Sequence, residues 1–211
     1  GDLRDRLDET SPRFWDDKQL NRWLNEGAQD VARRGQCLPD TTTRAIAASS
    51  ATATLPANGF GLHRAEFSND NGVTVYPLEF RDPNEMDEFW IRRTQQNYRP
   101  SFLVENGYPG ATNWSATLYP IPSSSGILTI YYYRLAATAN SDTDVVDLPS
   151  GWEDLAITYA SYVALRKDQN PIYQEVKQEY EEKLGTLIDT TRRYHDQSGW
   201  IVGSGAGGAP D

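Results

Sequence analysis

A single cysteine, Cys37, stands in the 211 residues, so no disulfide can form within the chain and nothing in it calls for an oxidising compartment. No histidine or acidic cluster lies near it in the sequence, which leaves a small buried or half-buried thiol. Histidine is almost as scarce. His63 sits next to a predicted strand and His195 near the end of the last predicted helix, neither with a second ligand at zinc spacing. No Gly-x-Ser-x-Gly elbow occurs. The run Gly203-Ser204-Gly205-Ala206-Gly207-Gly208 has the letters of a dinucleotide fingerprint without the strand before it and the helix after it. The acidic pairs Asp16/Asp17 and Glu181/Glu182 and the cluster Glu85/Asp87/Glu88 read as helix-start charges or solvated helix faces rather than glycosidase-like carboxylates. A non-enzyme without cofactor or metal is expected.

Long apolar runs are also missing. Nothing approaches the roughly 20 residues that span a bilayer, and Gly1–Arg6 is charged where a signal peptide would be apolar, so neither membrane nor export is expected. Positive charge is in short supply: 20 Lys and Arg face 30 Asp and Glu, a net −10. Tight nucleic-acid binding, which needs clustered cations against phosphate, is disfavoured. A wall that repels sliding DNA is compatible with that charge, and so is plain solubility at high concentration.

Aromatic residues are plentiful, with twelve Tyr and six Trp, a balance suited to half-buried contacts as well as to Tyr-rich cores. Apolar periodicity and composition divide the chain into three zones. A short helical segment, 2–9, precedes a longer helix capped by Asp16 with Gln19 three residues on. Leu20, Trp23, Leu24, Ala28, Val31 and Ala32 form its apolar face, Arg33 and Arg34 suit its negative end, and Gly35 stops it.

From 36 to 148 the chain is rich in Thr, Tyr, Ser, Pro and Gly. Strands are predicted at 51–55, 63–67, 73–80, 101–105, 114–119 and 127–135, with turns at Asn69–Gly72 and Ser123–Gly126. A helix after Asp82 carries Met86, Phe89 and Trp90 on one side. Arg92, Arg93 and Arg99, interleaved with Tyr98, are the one basic patch. They read as a solvated helix end or as a subunit-interface contact for an acidic neighbour.

The third zone is helical again. Ser150 and Glu153 look like a capping box, followed by the stripe Trp152, Leu155, Ala156, Tyr159, Ala160 and Val163. Asn170-Pro171 breaks this helix. The next carries Tyr173, Val176, Tyr180, Leu184, Leu187, Thr191 and Tyr194 at intervals of three and four. Together these patterns predict an α+β fold: mainly an antiparallel helical bundle from the N- and C-terminal segments (1–35 and 149–196), with an inserted antiparallel β-rich region (36–148). Residues 1–196 would form one domain, with 197–211 as a flexible tail holding the apolar cluster Trp200, Ile201 and Val202.

The segment Ser11-Pro12-Arg13-Phe14-Trp15-Asp16-Asp17-Lys18-Gln19-Leu20-Asn21-Arg22-Trp23-Leu24-Asn25-Glu26-Gly27-Ala28-Gln29 resembles the opening of phage head–tail adaptor, or connector, proteins. The order of elements is similar too, including the approach Val145-Val146-Asp147-Leu148-Pro149 to two C-terminal helices. The resemblance implies a virion protein at the head–tail junction, made in the host cytoplasm. It implies a homo-oligomer, a dodecameric ring in the virion and a monomer before assembly, docked beneath the portal protein. Such a ring extends the channel through which double-stranded DNA passes without sequence-specific binding, and presents a platform to tail or nozzle proteins. Trp200, Ile201 and Val202 are then candidates for a portal-binding anchor; the competing reading has Trp200 folding back on its own domain. A second function class is a carbohydrate-binding or receptor-recognition module on the β-rich region, with Trp114, Tyr119 and Tyr131–Tyr133 as stacking platforms.

Overall fold

The computed structural model describes residues 2–8, 14–88, 96–97, 99–141 and 144–197. In chain order the elements are helices α1 (Asp2–Arg6) and α2 (Asp17–Gly35), then strands β1 (Pro39–Ile46), β2 (Thr52–Thr54), β3 (Gly59–Ser68), β4 (Tyr76–Pro77) and β5 (Glu79–Arg81). Helix α3 (Pro83–Glu88) leads to β6 (Gln96–Asn97), β7 (Phe102–Asn106), β8 (Ser115–Tyr119), β9 (Ile121–Pro122) and β10 (Gly126–Arg134). Helices α4 (Asp154–Lys167) and α5 (Tyr173–Gln197) follow. The chain divides into two compact units, 1–38 with 135–211, and 39–134.

The first unit is helical. Asp16 caps α2 by accepting from the Gln19 N–H at 2.6 Å, as its position before the apolar stripe predicts. Trp23, Leu20, Val31 and Ala32 are buried on the face turned to α4, and Tyr180, Leu184 and Leu187 of α5 close the layer. The stripe of α5 ends there, since Tyr194 is exposed. Two helix-end expectations are corrected. Gly35 is the last helical residue of α2, and Gln36, at φ 47°, takes the left-handed position. Gly35 lies against Leu187: a Cβ there would sit 2.9 Å from Leu187 Cδ2, which would have to shift. Helix α4 begins at Asp154, not near Ser150, and the Glu153 carboxylate accepts from the Gly151 N–H at 2.7 Å instead of capping the helix.

The second unit is a two-layer sandwich. One four-stranded sheet has the order β1-β10-β3-β4 and the other β2-β8-β7-β5, with β6 and β9 as a separate pair. Alternate residues of both sheets meet in one core that includes Ile46, Phe67, Leu103, Trp114, Leu118, Leu128 and Ile130. Gly126 opens β10 where a Cβ would overlap the Phe67 ring and the Ser68 carbonyl oxygen.

This corrects the expected fold class. The chain is α+β, but not mainly a helical bundle: among the described residues ten strands accompany five helices, and the β zone builds its own core. Nor is the β region wholly antiparallel. β5 pairs with β7, and β6 with β9, in parallel. The long connection from Arg81 to Phe102, which contains α3, permits the parallel return that a hairpin could not. The strand expected at 73–80 is instead two short strands, β4 and β5, in different sheets, and it starts late because the preceding turn persists. Asp70 accepts from the Thr74 N–H and Ser68 Oγ from the Gly72 N–H, both at 2.8 Å, so pairing starts only at Tyr76. Strand β1 carries no strand signal of its own, since Pro39-Asp40-Thr41-Thr42-Thr43-Arg44-Ala45 presents no apolar alternation before Ile46.

Candidate assembly surfaces

In the helical unit charged side chains tie the short α1 to the long helices. Leu3 is buried beside Leu20, Trp23, Ala160 and Ala164, and Arg4 donates to the Trp15 carbonyl at 3.1 Å while pairing with Asp17. Arg6 reaches three groups: Asp154 at 3.0 Å, Thr158 Oγ1 at 2.9 Å and Glu179 at 2.7 Å. Lys183 pairs with Asp154 and, at 2.8 Å, with Glu179. On the other side Arg34 bridges Asp30 at 3.4 Å and Glu181 at 2.6 Å, and the Tyr180 hydroxyl donates to Asp30 at 2.5 Å.

Hydrogen bonds from Lys183 and then Arg6 hold the Glu179 carboxyl below its ordinary range, and the bond from Arg34 does the same for Glu181. A carboxylate with a lowered folded pKa stabilises the fold above its unfolded value, and that contribution is lost as pH falls through the lowered one. The urea midpoint is therefore expected to hold from neutrality down to about pH 5 and to drop towards about pH 3. Glu179→Gln with Glu181→Gln should flatten that acid limb.

Beside this network lies an apolar groove of about 260 Å³, lined in part by Leu3, Leu20, Leu24, Ala28, Val146 and Ile157. Its wall is pinned by Asn25, which donates from Nδ2 to the Ala139 carbonyl and accepts from the Ala139 N–H, each at 2.8 Å. Further along, Asp144 accepts from the N–H groups of Asn140 and Ser141, which hold its carboxyl below the ordinary range. Asn25→Ala removes both bonds to a part-buried peptide and is expected to cost about 1–2 kcal/mol, read from urea unfolding, with faster hydrogen exchange at Ala139. Arg6 and Asn25 carry these contacts, and neither was singled out from the sequence. A hint for Asn25 was a poor helix former in mid-helix, next to the apolar Leu24 and Ala28.

Five of the acidic groups named from the sequence have local contacts, and the side chains of Asp87 and Glu88 lie outside those described. Asp16 is a cap, Asp17 pairs with Arg4, Glu85 with Arg81 at 3.6 Å and Glu181 with Arg34, while Glu182 accepts from Gln178 at 2.8 Å. Among the described residues no group of three or more His, Cys, Asp or Glu could hold a metal ion, and no helix is long and apolar enough to cross a membrane.

In the β unit Arg99 is exposed, with its guanidinium 4.4 Å from the centre of the Tyr76 ring. Its companions Arg92, Arg93 and Tyr98 lie outside the described residues, as do Trp200, Ile201 and Val202. The proposed sugar platforms do not form an open surface. Trp114 is 0% exposed, with Nε1 donating to Glu105 at 2.6 Å, and Tyr132 and Tyr133 are buried. Tyr131 is half-buried, its hydroxyl donating to Glu66 at 3.0 Å and its ring under Arg64, and only Tyr119 is left without such a role. Large apolar side chains reach solvent elsewhere, at Phe14, Val145 and Ile172 in the helical unit and at Val73 and Tyr108 in the β unit.

A protein-family model described as SU10 adaptor protein matches residues 1–203. Nothing among the curated proteins matches the chain.

Proposed function

The chain belongs to the SU10 adaptor protein family, a family of phage head–tail adaptors, and from that premise we propose that it is a ring subunit docked beneath the portal of a tailed bacteriophage. Its role is structural. The ring extends the DNA channel and carries the tail or nozzle proteins, and double-stranded DNA slides through it without sequence-specific contact. The observation that carries this reading is the family match over 1–203, which takes in both compact units. The excess of acidic residues supports a channel wall that phosphates do not grip.

Residues 1–196 act as one adaptor domain, and the segment after it reaches a neighbouring protein. Trp200, Ile201 and Val202 are the anchor on the portal, and Arg92, Arg93, Tyr98 and Arg99 contact the adjacent subunit. Such a subunit stays monomeric in the host cytoplasm until the portal adds its contacts. Co-sedimentation with the portal of the same virus tests the anchor. The full chain is expected to pellet with the portal, and a chain ending at Gln197 to bind at least tenfold more weakly. Equal binding by the two would remove the anchor while leaving the adaptor role standing.

A further inference from the structure

Strand β1 lies at the edge of its sheet, paired with β10 along its whole length on one side. In an antiparallel ladder residues alternate between those that exchange both backbone bonds with the neighbour and those whose N–H and C=O point away. Two side chains mark the outward set. Asp40 Oδ1 accepts from the Thr41 N–H at 2.8 Å, and Arg44 Nη1 donates to the Thr43 carbonyl at 3.4 Å. Thr41 and Thr43 are two residues apart and so face the same way, together with Pro39, which has no N–H, and Ala45. All four are exposed.

The covering side chains are themselves fastened. Asp40 accepts from the Tyr132 hydroxyl at 3.1 Å and lies 3.8 Å from Arg134. Arg44 is held by its Nε, which donates to the Thr54 carbonyl at 3.2 Å. Without them the edge would be open and self-complementary. An antiparallel register centred on Thr42 sets Thr41 against Thr43 of a second copy and Thr43 against its Thr41, and brings Asp40 opposite the copy's Arg44 once both side chains leave the backbone they cover. We infer that Asp40 and Arg44, lying across the outward backbone groups of Thr41 and Thr43, hold a pairing-competent edge shut against a second copy of this chain. Such a pair would be two-fold and would close on itself, so it leads to dimers rather than to an open-ended assembly. The inference stands on the strand edge alone and is independent of the ring.

Sedimentation velocity over a range of concentrations tests it on three full-length proteins: wild type, Asp40→Ala with Arg44→Ala, and the same double variant with Thr43→Pro added. Proline at an outward-facing N–H is tolerated in an edge strand but forbids pairing there. The double variant is expected to self-associate at least tenfold more tightly than wild type, with slower hydrogen exchange at the Thr43 amide, and the added proline to abolish the gain. Arg44→Ala alone, which removes bonds only to backbone carbonyls, should shift association the same way and serves if the double variant fails to fold. Association no tighter than wild type in the folded variants, or a gain that survives Thr43→Pro, would overturn the inference.

Discussion

Trp114→Ala is expected to destabilise the protein by about 4 kcal/mol, the largest loss from any single truncation in the β unit. The indole is fully enclosed between the two sheets, beside Leu103, Ala116 and Leu118 and against the backbone of Gly59. Truncation opens a cavity that surrounding strands, fixed by their ladders, can fill only in part. It also leaves the Glu105 carboxylate without the indole donor at 2.6 Å. By far-UV circular dichroism the melting temperature should fall by roughly 10 °C. Trp114→Phe keeps most of the volume and loses the hydrogen bond, so a drop of about 1–2 kcal/mol is expected. A Trp114→Ala protein as stable as wild type would mean that this side chain is not in a packed core.

Gly27→Val is the corresponding change in the helical unit, with an expected cost of about 3 kcal/mol. Helix α2 packs tightly against α4 at this residue. A Cβ there would lie 2.9 Å from Tyr159 Cβ and 3.1 Å from the Ala156 carbonyl oxygen, and valine would add two more methyl groups. Neither neighbour can turn aside. One is the root of a side chain packed edge-on against Tyr180 at 5.5 Å, and the other is backbone. The helices must separate, and Tyr180 then loses its tight bond to Asp30. Replacing glycine in a helix interior ordinarily helps the helix by up to about 1 kcal/mol, so a net loss in urea unfolding isolates the steric term. Gly185, with nothing within 4 Å of a Cβ, is the control: Gly185→Ala should stabilise by about 1 kcal/mol.

Much of the fold could be read from local pattern. The cap at Asp16 and the stripe through Tyr180, Leu184 and Leu187 follow from helical periodicity. The Asn69–Gly72 turn follows from residues that accept positive φ, as Asn71 and Gly72 do. What escaped depends on contacts distant in sequence. β1 is a strand because β10 pairs with it across roughly ninety residues, and its threonines alone carry no such signal. Trp114 begins a predicted strand and looks like an exposed platform, and only the second sheet makes it core. Gly35 reads as a helix stop, yet it also packs against Leu187 from the far end of the chain. Long helical stripes announce themselves in a sequence, whereas a sandwich of short strands emerges only when its two sheets meet.

The candidate assembly residues were legible unevenly. Ser11–Gln29 carried the resemblance to phage adaptors, and within it Asp16, Asn25 and Gly27 are a cap, a pin for the Ala139 peptide and a close-approach residue. These are reasons of architecture, which explains how a short motif can report a family without marking a binding site.

The most direct measurement is cryo-electron microscopy of the full-length protein mixed with the portal of the same virus. A closed ring of copies seated beneath the portal, coaxial with its channel, is the expected result. Copies that remain unattached, with portal particles bare at the tail-facing end, would contradict the adaptor assignment.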